Sequence, residues 1–400
     1  MLTRSQRTLA RASMILGLAF TASVPGAVRA TECPPPAQWL RLEAGGTRPA
    51  SLQETIAHAA QQRVVLLGEN HDSAEHHRWQ LHVLAALHAR QPAIALGLEM
   101  FPRRVQAVLD AWVAGSLTES ELLERSEWDD VWGMDAALYL PLFHYARMHR
   151  IPMLALNVER SLVRDVGARG WETIPAEQRE GVADPAPPAP DYLTTLYEAF
   201  VAHAPQGARD RPTPTEADLH DPRFVRFVQS MQVWDRAMAQ AVVDRLTQSE
   251  TRLVVGIMGS GHLRDGFGVP HQLRALGIPE NVVLLPWEAG AGCEPPSSTA
   301  ADYLFGVATE PSAPSRPRLG IMLDDAEHGV VVRKVVEGSI AQEAGLRDGD
   351  VVTQVAGRPV QRSRDVSVAV MRTAPGTWLP ISVRRGERSL ELVARFPATP

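Results

Sequence analysis

Glu69, His71, Glu99, Arg103 and His262 are the residues of this 400-residue chain whose types and settings suit proton transfer or metal binding. Glu69 and His71 share the run Gly68-Glu69-Asn70-His71-Asp72. Glu99 lies in Gly97-Leu98-Glu99-Met100 with Arg103 and Arg104 just beyond, and His262 closes Gly259-Ser260-Gly261-His262. Two carboxylates, two imidazoles and a guanidinium gathered in one crevice would perturb one another's pKa values, as groups that move protons require. Such a set supports hydrolysis, with Glu69 or Glu99 as general base and Arg103 steadying an anionic transition state. His71 and His262 would orient water, or bind a divalent metal together with Glu69. The spacing is not that of a His-Glu-x-x-His helix, so a metal site would have to be assembled from separate strands. Taken singly, either histidine reads as a helix cap or a partner for a backbone group; the group of residues reads as a site.

These residues sit at the ends of short apolar runs. Arg63 to Leu67, Ala93 to Leu98, Pro152 to Leu156, Arg252 to Ile257 and Val282 to Leu285 are apolar on both faces, as parallel strands covered on both sides must be. Helical spacing separates them over Ala74 to Arg90, Arg103 to Val113, Ala136 to Met148 and Arg223 to Leu246. The expected fold is α/β, a mostly parallel sheet flanked by helices, with ligands gathering at the carboxyl ends of the strands. If the extended backbone persists past Leu67, Glu69 and His71 share a face, because side chains alternate with period two. His76 and His77, adjacent on a helix, point about 100° apart, so at least one is expected at the surface. Asp235 either reaches the site or forms a structural ion pair. Residues 172 to 222 are proline-rich in places around a short helix from Tyr192 to Ala202, an excursion over the sheet that could cap a pocket.

The first thirty residues carry Arg4, Arg7, Arg11 and Arg29, no acidic residue, and an apolar stretch from Ala12 to Val24 followed by small residues ending in Val28-Arg29-Ala30. This reads as a signal peptide over 1–30, hence a periplasmic or envelope location. Ala30-Thr31-Glu32 before Cys33 lacks a lipobox, so a lipoprotein is not expected. Loss of four arginines would take the formal charge from -6 to -10, which argues against nucleic acid as a partner. An oxidising compartment permits Cys33 and Cys293 to pair, but two cysteines alone say nothing about distance. The first domain is placed at 34–312 and a Pro/Ser/Ala linker at 313–317.

From Arg318 the text changes. Glu343-Ala344-Gly345-Leu346-Arg347-Asp348-Gly349-Asp350-Val351-Val352 with Gly357 closely resembles the HtrA-like PDZ family, placing a small β-rich PDZ domain at 318–397. The resemblance makes Leu319, Gly320 and Ile321 the peptide-binding loop. There, backbone N–H groups would hold the C-terminal carboxylate of a partner's peptide while it adds a strand beside Ile321 to Leu323.

The large domain resembles the ChaN-like family of haem-binding uptake proteins, related to the Tiki, TraB and erythromycin-esterase group. The resemblance rests on Leu67-Gly68-Glu69-Asn70-His71-Asp72, Gly97-Leu98-Glu99-Met100-Phe101, Trp132-Gly133-Met134-Asp135 with Tyr139-Leu140-Pro141-Leu142, Trp234-Asp235 with Met238-Ala239, and Gly259-Ser260-Gly261-His262. It implies a periplasmic or surface-attached haem binder, a homodimer in some members, with tyrosine as an iron ligand. Tyr139 is then the tyrosine of choice, with His71 and His262 as the other cofactor-binding candidates. Trp79, Trp128, Trp132, Phe143 and Trp234 are candidate walls for an apolar slot. No Cys-x-x-Cys-His is present, so covalent haem attachment is excluded. Three functions remain open: non-covalent haem or iron-porphyrin binding with PDZ docking, hydrolysis, and a PDZ scaffold with a vestigial α/β site.

Overall fold

The computed structural model of the chain describes residues 33–202, 213–289, 293, 296–308, 318–326 and 329–398. The expected signal peptide, 1–30, and linker, 313–317, lie outside the described residues.

The large domain is built on strands β1 (Trp39–Glu43), β2 (Gly46–Ala50), β3 (Val64–Glu69), β4 (Ile94–Pro102), β5 (Met153–Asn157), β6 (Leu253–Gly259), β7 (Asn281–Ala289) and β8 (Tyr303–Ala308). They form one eight-stranded sheet in the order β2-β1-β8-β7-β3-β6-β4-β5. Strands β3 to β8 pair in parallel, and β1 joins β8 and β2 antiparallel. The five apolar runs are thus strands of a mostly parallel sheet, while the β1–β2 hairpin, whose residues carry no continuous apolar signal, extends one edge.

Every residue of β3 is buried, and its alternation splits it between two cores. Val65 and Leu67 pack under the Ala74–Arg90 and Ala136–His149 helices with Trp79, Val83 and Phe143. Val64 and Leu66 face the other way, against Met238 and Val242 of the Pro222–Gln248 helix and Leu273 of the Val269–Ala275 helix. Period-two alternation therefore gives a central strand two apolar faces and a helical layer on each. Helix entry is fixed locally: Ser73 accepts the His76 N–H, Asp135 the Ala137 N–H, and Asp221 the Arg223 N–H ahead of Pro222. Cys33 and Cys293 are joined by a disulfide, tying the start of the described chain to the segment after β7.

The second sheet comprises β9 (Ile321–Ala326), β10 (Gly329–Val335), β11 (Val351–Val355), β12 (Arg358–Pro359), β13 (Trp378–Arg385) and β14 (Arg388–Arg395). Its order is β14-β13-β11-β10-β9, with β12 paired to β11, so β9 is an edge strand. The Ile340–Glu343 and Ser363–Met371 helices accompany a core of Leu319, Val330, Val332, Val352, Val366 and Ile381. Among the described residues, no helix is long and apolar enough to cross a membrane.

Candidate functional site

In the large sheet β3, β6 and β4 are neighbours, so the ends of these strands present Glu69, Gly259 and Glu99 side by side. The loops beyond them add His71 and His262. These four side chains, from three separate stretches of the chain, come together above the strand ends.

Glu69 is buried at the end of β3, and its carboxylate collects donors from three elements. Oε1 accepts the Tyr139 hydroxyl at 2.8 Å and faces His71 Nδ1 at 2.8 Å. Oε2 accepts Gln80 Nε2 at 2.9 Å and lies 3.4 Å from His77 Nδ1. Burial favours the protonated acid, but the His71 bond, the charges of His77 and His71 and the Gln80 bond outweigh it and hold Glu69 below the usual carboxylate range. Burial likewise opposes charging His71, yet its bond to Glu69 and the charges of Glu99 and Glu69 raise it above the ordinary histidine value. Tyr139 has no exposed surface; burial, then the charge of Glu69 and the bond to it, drive its hydroxyl far above the usual phenol range.

Glu99 is equally buried within β4 and accepts the Gly259 N–H at 2.6 Å through Oε2. Its Oε1 lies 3.5 Å from His262 Nε2, while His262 Nδ1 meets Asp235 Oδ1 at 2.6 Å. Tyr192, on the Pro190–Ala202 helix of the excursion, donates its hydroxyl to Asp235 Oδ2 at 3.0 Å. Burial lowers the pKa of His262, but the charges of Glu99 and Asp235 and the Asp235 bond raise it to about 9. At neutral pH His262 is therefore an imidazolium clamped between two carboxylates.

Glycine makes this packing sterically feasible. A Cβ on Gly259 would sit 3.0 Å from His71 Cε1 and 3.2 Å from Nε2, and one on Gly268 would sit 2.4 Å from the His262 carbonyl oxygen. The aromatic candidates divide. Trp132 meets the His71 ring edge-on at 4.7 Å and Trp234 meets His262 at 4.9 Å. Trp79, Trp128 and Phe143 are buried in the core and are not exposed walls.

Three expectations need revision. His76 and His77 are both buried, neither at the surface: His76 Nδ1 accepts the Asn70 N–H, and burial with the charge of His77 pushes it down to about 4. Arg103 is not among the clustered groups, since its guanidinium donates to the carbonyls of Glu180 and Ala237 and braces the excursion against the long helix. Among the described residues no three His, Cys, Asp or Glu side chains are arranged to hold a metal ion, so His71, His262 and Glu69 do not form a metal centre. Sequence reading left Asp235 undecided and missed Gln80 and Tyr192 as partners. Only Asp235 carried a signal, through its Trp-Asp motif.

In the second domain Gly320 adopts a positive φ of 81°, and its missing Cβ admits Ser339, which an added Cβ would approach to 2.3 Å. The Gly320 carbonyl accepts the Val336 N–H and the Leu319 carbonyl the Ala341 N–H, fixing the loop that leads into the edge strand at Ile321.

A family model described as haem-binding uptake, Tiki superfamily, ChaN matches residues 55–273, and a PDZ-domain model matches 317–394. A solved structure described as cofacial heme binding to ChaN of Campylobacter jejuni shares the fold. Its TM-score is 0.51 at 19% identity, covering 67% of this chain and 96% of that one. Curated relatives include the mitochondrial serine protease HTRA2 of Bos taurus, 41% identical over 68 residues, or 17% of this chain and 14% of that protein. Another is the periplasmic pH-dependent serine endoprotease DegQ of Escherichia coli, 29% identical over 68 residues, 17% and 15%. The chain thus spans about one-seventh of the length of the curated relatives it matches.

Proposed function

The chain belongs to the ChaN haem-binding uptake family of the Tiki superfamily and carries a PDZ domain, and from that premise we propose that it is an exported envelope protein that binds haem or an iron porphyrin non-covalently at the strand-end crevice and docks a partner's C-terminal peptide through the PDZ edge strand. The observation that carries the haem reading is the family match over residues 55–273, joined to the side-chain cluster at the strand ends. In it a partly exposed imidazole, His71, is anchored through one nitrogen by a buried carboxylate and flanked by Trp132. Non-covalent haem binding requires an apolar slot and an axial ligand; of the groups at the strand ends, Trp132 supplies an apolar ring. Haem would supply a porphyrin-held iron, and His71 and Trp132 are the residues of the cluster that would meet it.

The docking reading draws on β9, an edge strand whose free side accepts a peptide by strand addition, with the Leu319-Gly320-Ile321 loop at its start. Hemin titration of the purified chain tests the first part: a saturable Soret change supports it and an unchanged spectrum removes it. Fluorescence anisotropy with a peptide library bearing free carboxyl ends tests the second, because amidation of the same peptides should abolish binding. Cell fractionation tests export to the periplasm.

A second reading, general-base hydrolysis without a metal, is favoured by the Glu99–His262–Asp235 array, in which a buried carboxylate faces a charged imidazole. It requires turnover of an ester or amide substrate that is lost in Glu99→Gln.

A further inference from the structure

A peptide captured on β9 has a direction. Its carboxylate sits at the Leu319-Gly320-Ile321 loop, where β9 begins, so the residues before it run antiparallel to β9 and leave at the far end, near Asp325. There Asp325 Oδ1 accepts the Ser363 N–H at 2.6 Å, tying the end of the edge strand to the start of the Ser363–Met371 helix. Ile321 and Leu323 from the strand and Val366 and Val370 from the helix share one apolar core, so strand and helix are the two walls of the groove.

The same helix contacts the large domain. The Arg364 guanidinium pairs with Asp130, and Arg372, just past the last helical residue, bonds both carboxylate oxygens of Asp129 at 3.1 and 3.2 Å. A Cβ on Gly133 would lie 4.0 Å from the Arg364 guanidinium. Asp129 and Asp130 belong to the short Trp128–Val131 helix, and the residue after it is Trp132, whose ring meets His71 at 4.7 Å. That helix is anchored from within: Trp128 Nε1 donates to the Met134 carbonyl at 2.8 Å, and the ring packs against Phe101 and Tyr139. The far end of the groove is thus linked to the strand-end cluster through Arg364, the Trp128–Val131 helix and Trp132.

Exposed ion pairs are individually weak and are screened by salt. Here they act within one chain. β8 ends at Ala308 and β9 begins at Ile321, so the short connection holds the two charged surfaces at high effective concentration. We propose that the large domain is itself a docking partner of the PDZ domain: Arg364 and Arg372 seat the groove helix on Asp129 and Asp130, and this seat aims a captured tail so that its upstream residues emerge beside Trp132 and His71. The inference rests on the peptide-docking reading above and is independent of haem binding.

The test uses the full chain with isotope-labelled histidine and a peptide that ends in a free valine carboxylate and carries a nitroxide at its amino end. A nitroxide broadens only nearby nuclei, so at saturation the His71 ring signals should broaden, and the unlabelled peptide should leave them sharp. Asp129→Arg combined with Asp130→Arg should abolish the broadening without changing peptide affinity. Adding Arg364→Asp and Arg372→Asp to that variant should bring the broadening back, which a folding defect would not allow. Salt at about 1 M, where the Debye length falls to about 3 Å, should act on the wild type as the charge reversal does. Sharp His71 signals with saturating labelled peptide, or broadening that persists in the Asp129 and Asp130 variant, would overturn the seat while leaving peptide docking intact. Failure of carboxylate-ended peptides to bind would remove the docking reading, and this inference with it.

Discussion

Raising the pH should unfold the large domain earlier than its composition suggests, and His262 is the reason. In the folded chain its imidazole is held to about 9 by Glu99 and Asp235, against an ordinary value of 6.5. A group whose pKa is raised on folding contributes stability that is complete below the unfolded value and disappears as the pH rises through the folded one. The interval from 6.5 to about 9 corresponds to ~3 kcal/mol. Because the ring is almost fully buried, solvent screening removes little of this. The steepest loss, about 1.4 kcal/mol per pH unit, falls between those two values. Nuclear magnetic resonance of the histidine ring nitrogens reads the protonation directly, and calorimetry at successive pH values reads the stability. Asp235→Asn removes one of the two charges, so its ring should titrate lower and its stability should vary less over the same interval. A His262 ring that is neutral at pH 7.5 would refute the reasoning, as would stability that is flat across the interval in both proteins.

Three further outcomes are expected. Tyr139→Phe removes a hydrogen bond to the buried Glu69 carboxylate and should cost about 1.5–3 kcal/mol in urea unfolding; a change under 0.5 kcal/mol would show that the hydroxyl is dispensable. Asp350 in the PDZ domain is buried and accepts two hydrogen bonds from Arg385, at 2.7 and 2.8 Å. Burial raises its pKa, but Arg385 and the Arg347 N–H more than reverse this and hold it low. Asp350→Asn should therefore destabilise the PDZ domain, and the wild-type contribution should be present at neutral pH and fade as pH falls through the depressed value, measured by the melting of the PDZ domain. Reduction of the Cys33–Cys293 disulfide, which spans 260 residues, should lower the stability of the large domain by about 2–4 kcal/mol, visible as a lower melting temperature in reductant.

The extent to which the site was legible in the sequence follows from how each residue signals itself. Glu69 and Glu99 interrupt or close runs of buried aliphatic residues, and His262 follows such a run after Gly259-Ser260-Gly261, so each stands out against the pattern. Asp235, Tyr192 and Gln80 sit on amphipathic helices, where a polar residue is ordinary, so nothing local separates a buried partner from a solvated one. His76 and His77 show the limit of helical periodicity: their directions diverge, yet both are buried because the Asn70 to Ser73 turn and the Glu69 carboxylate cover the helix start from different sides. Arg103 illustrates the opposite error, in which a charge close in sequence to the site is turned away to satisfy carbonyls of the excursion.

By itself the sequence determined the α/β class, the strand runs and the PDZ domain, because apolar periodicity and turn glycines are local consequences of burial and backbone sterics. Only the tertiary structure decided which acid holds which base. Those assignments depend on strand order, which sets β3, β6 and β4 side by side, and on helices that bring Tyr139 to Glu69 across 70 residues and Asp235 to His262 across 27. Charge and hydrogen bonding act through space over a few ångströms, so a chain read in one dimension shows the groups but not their pairing.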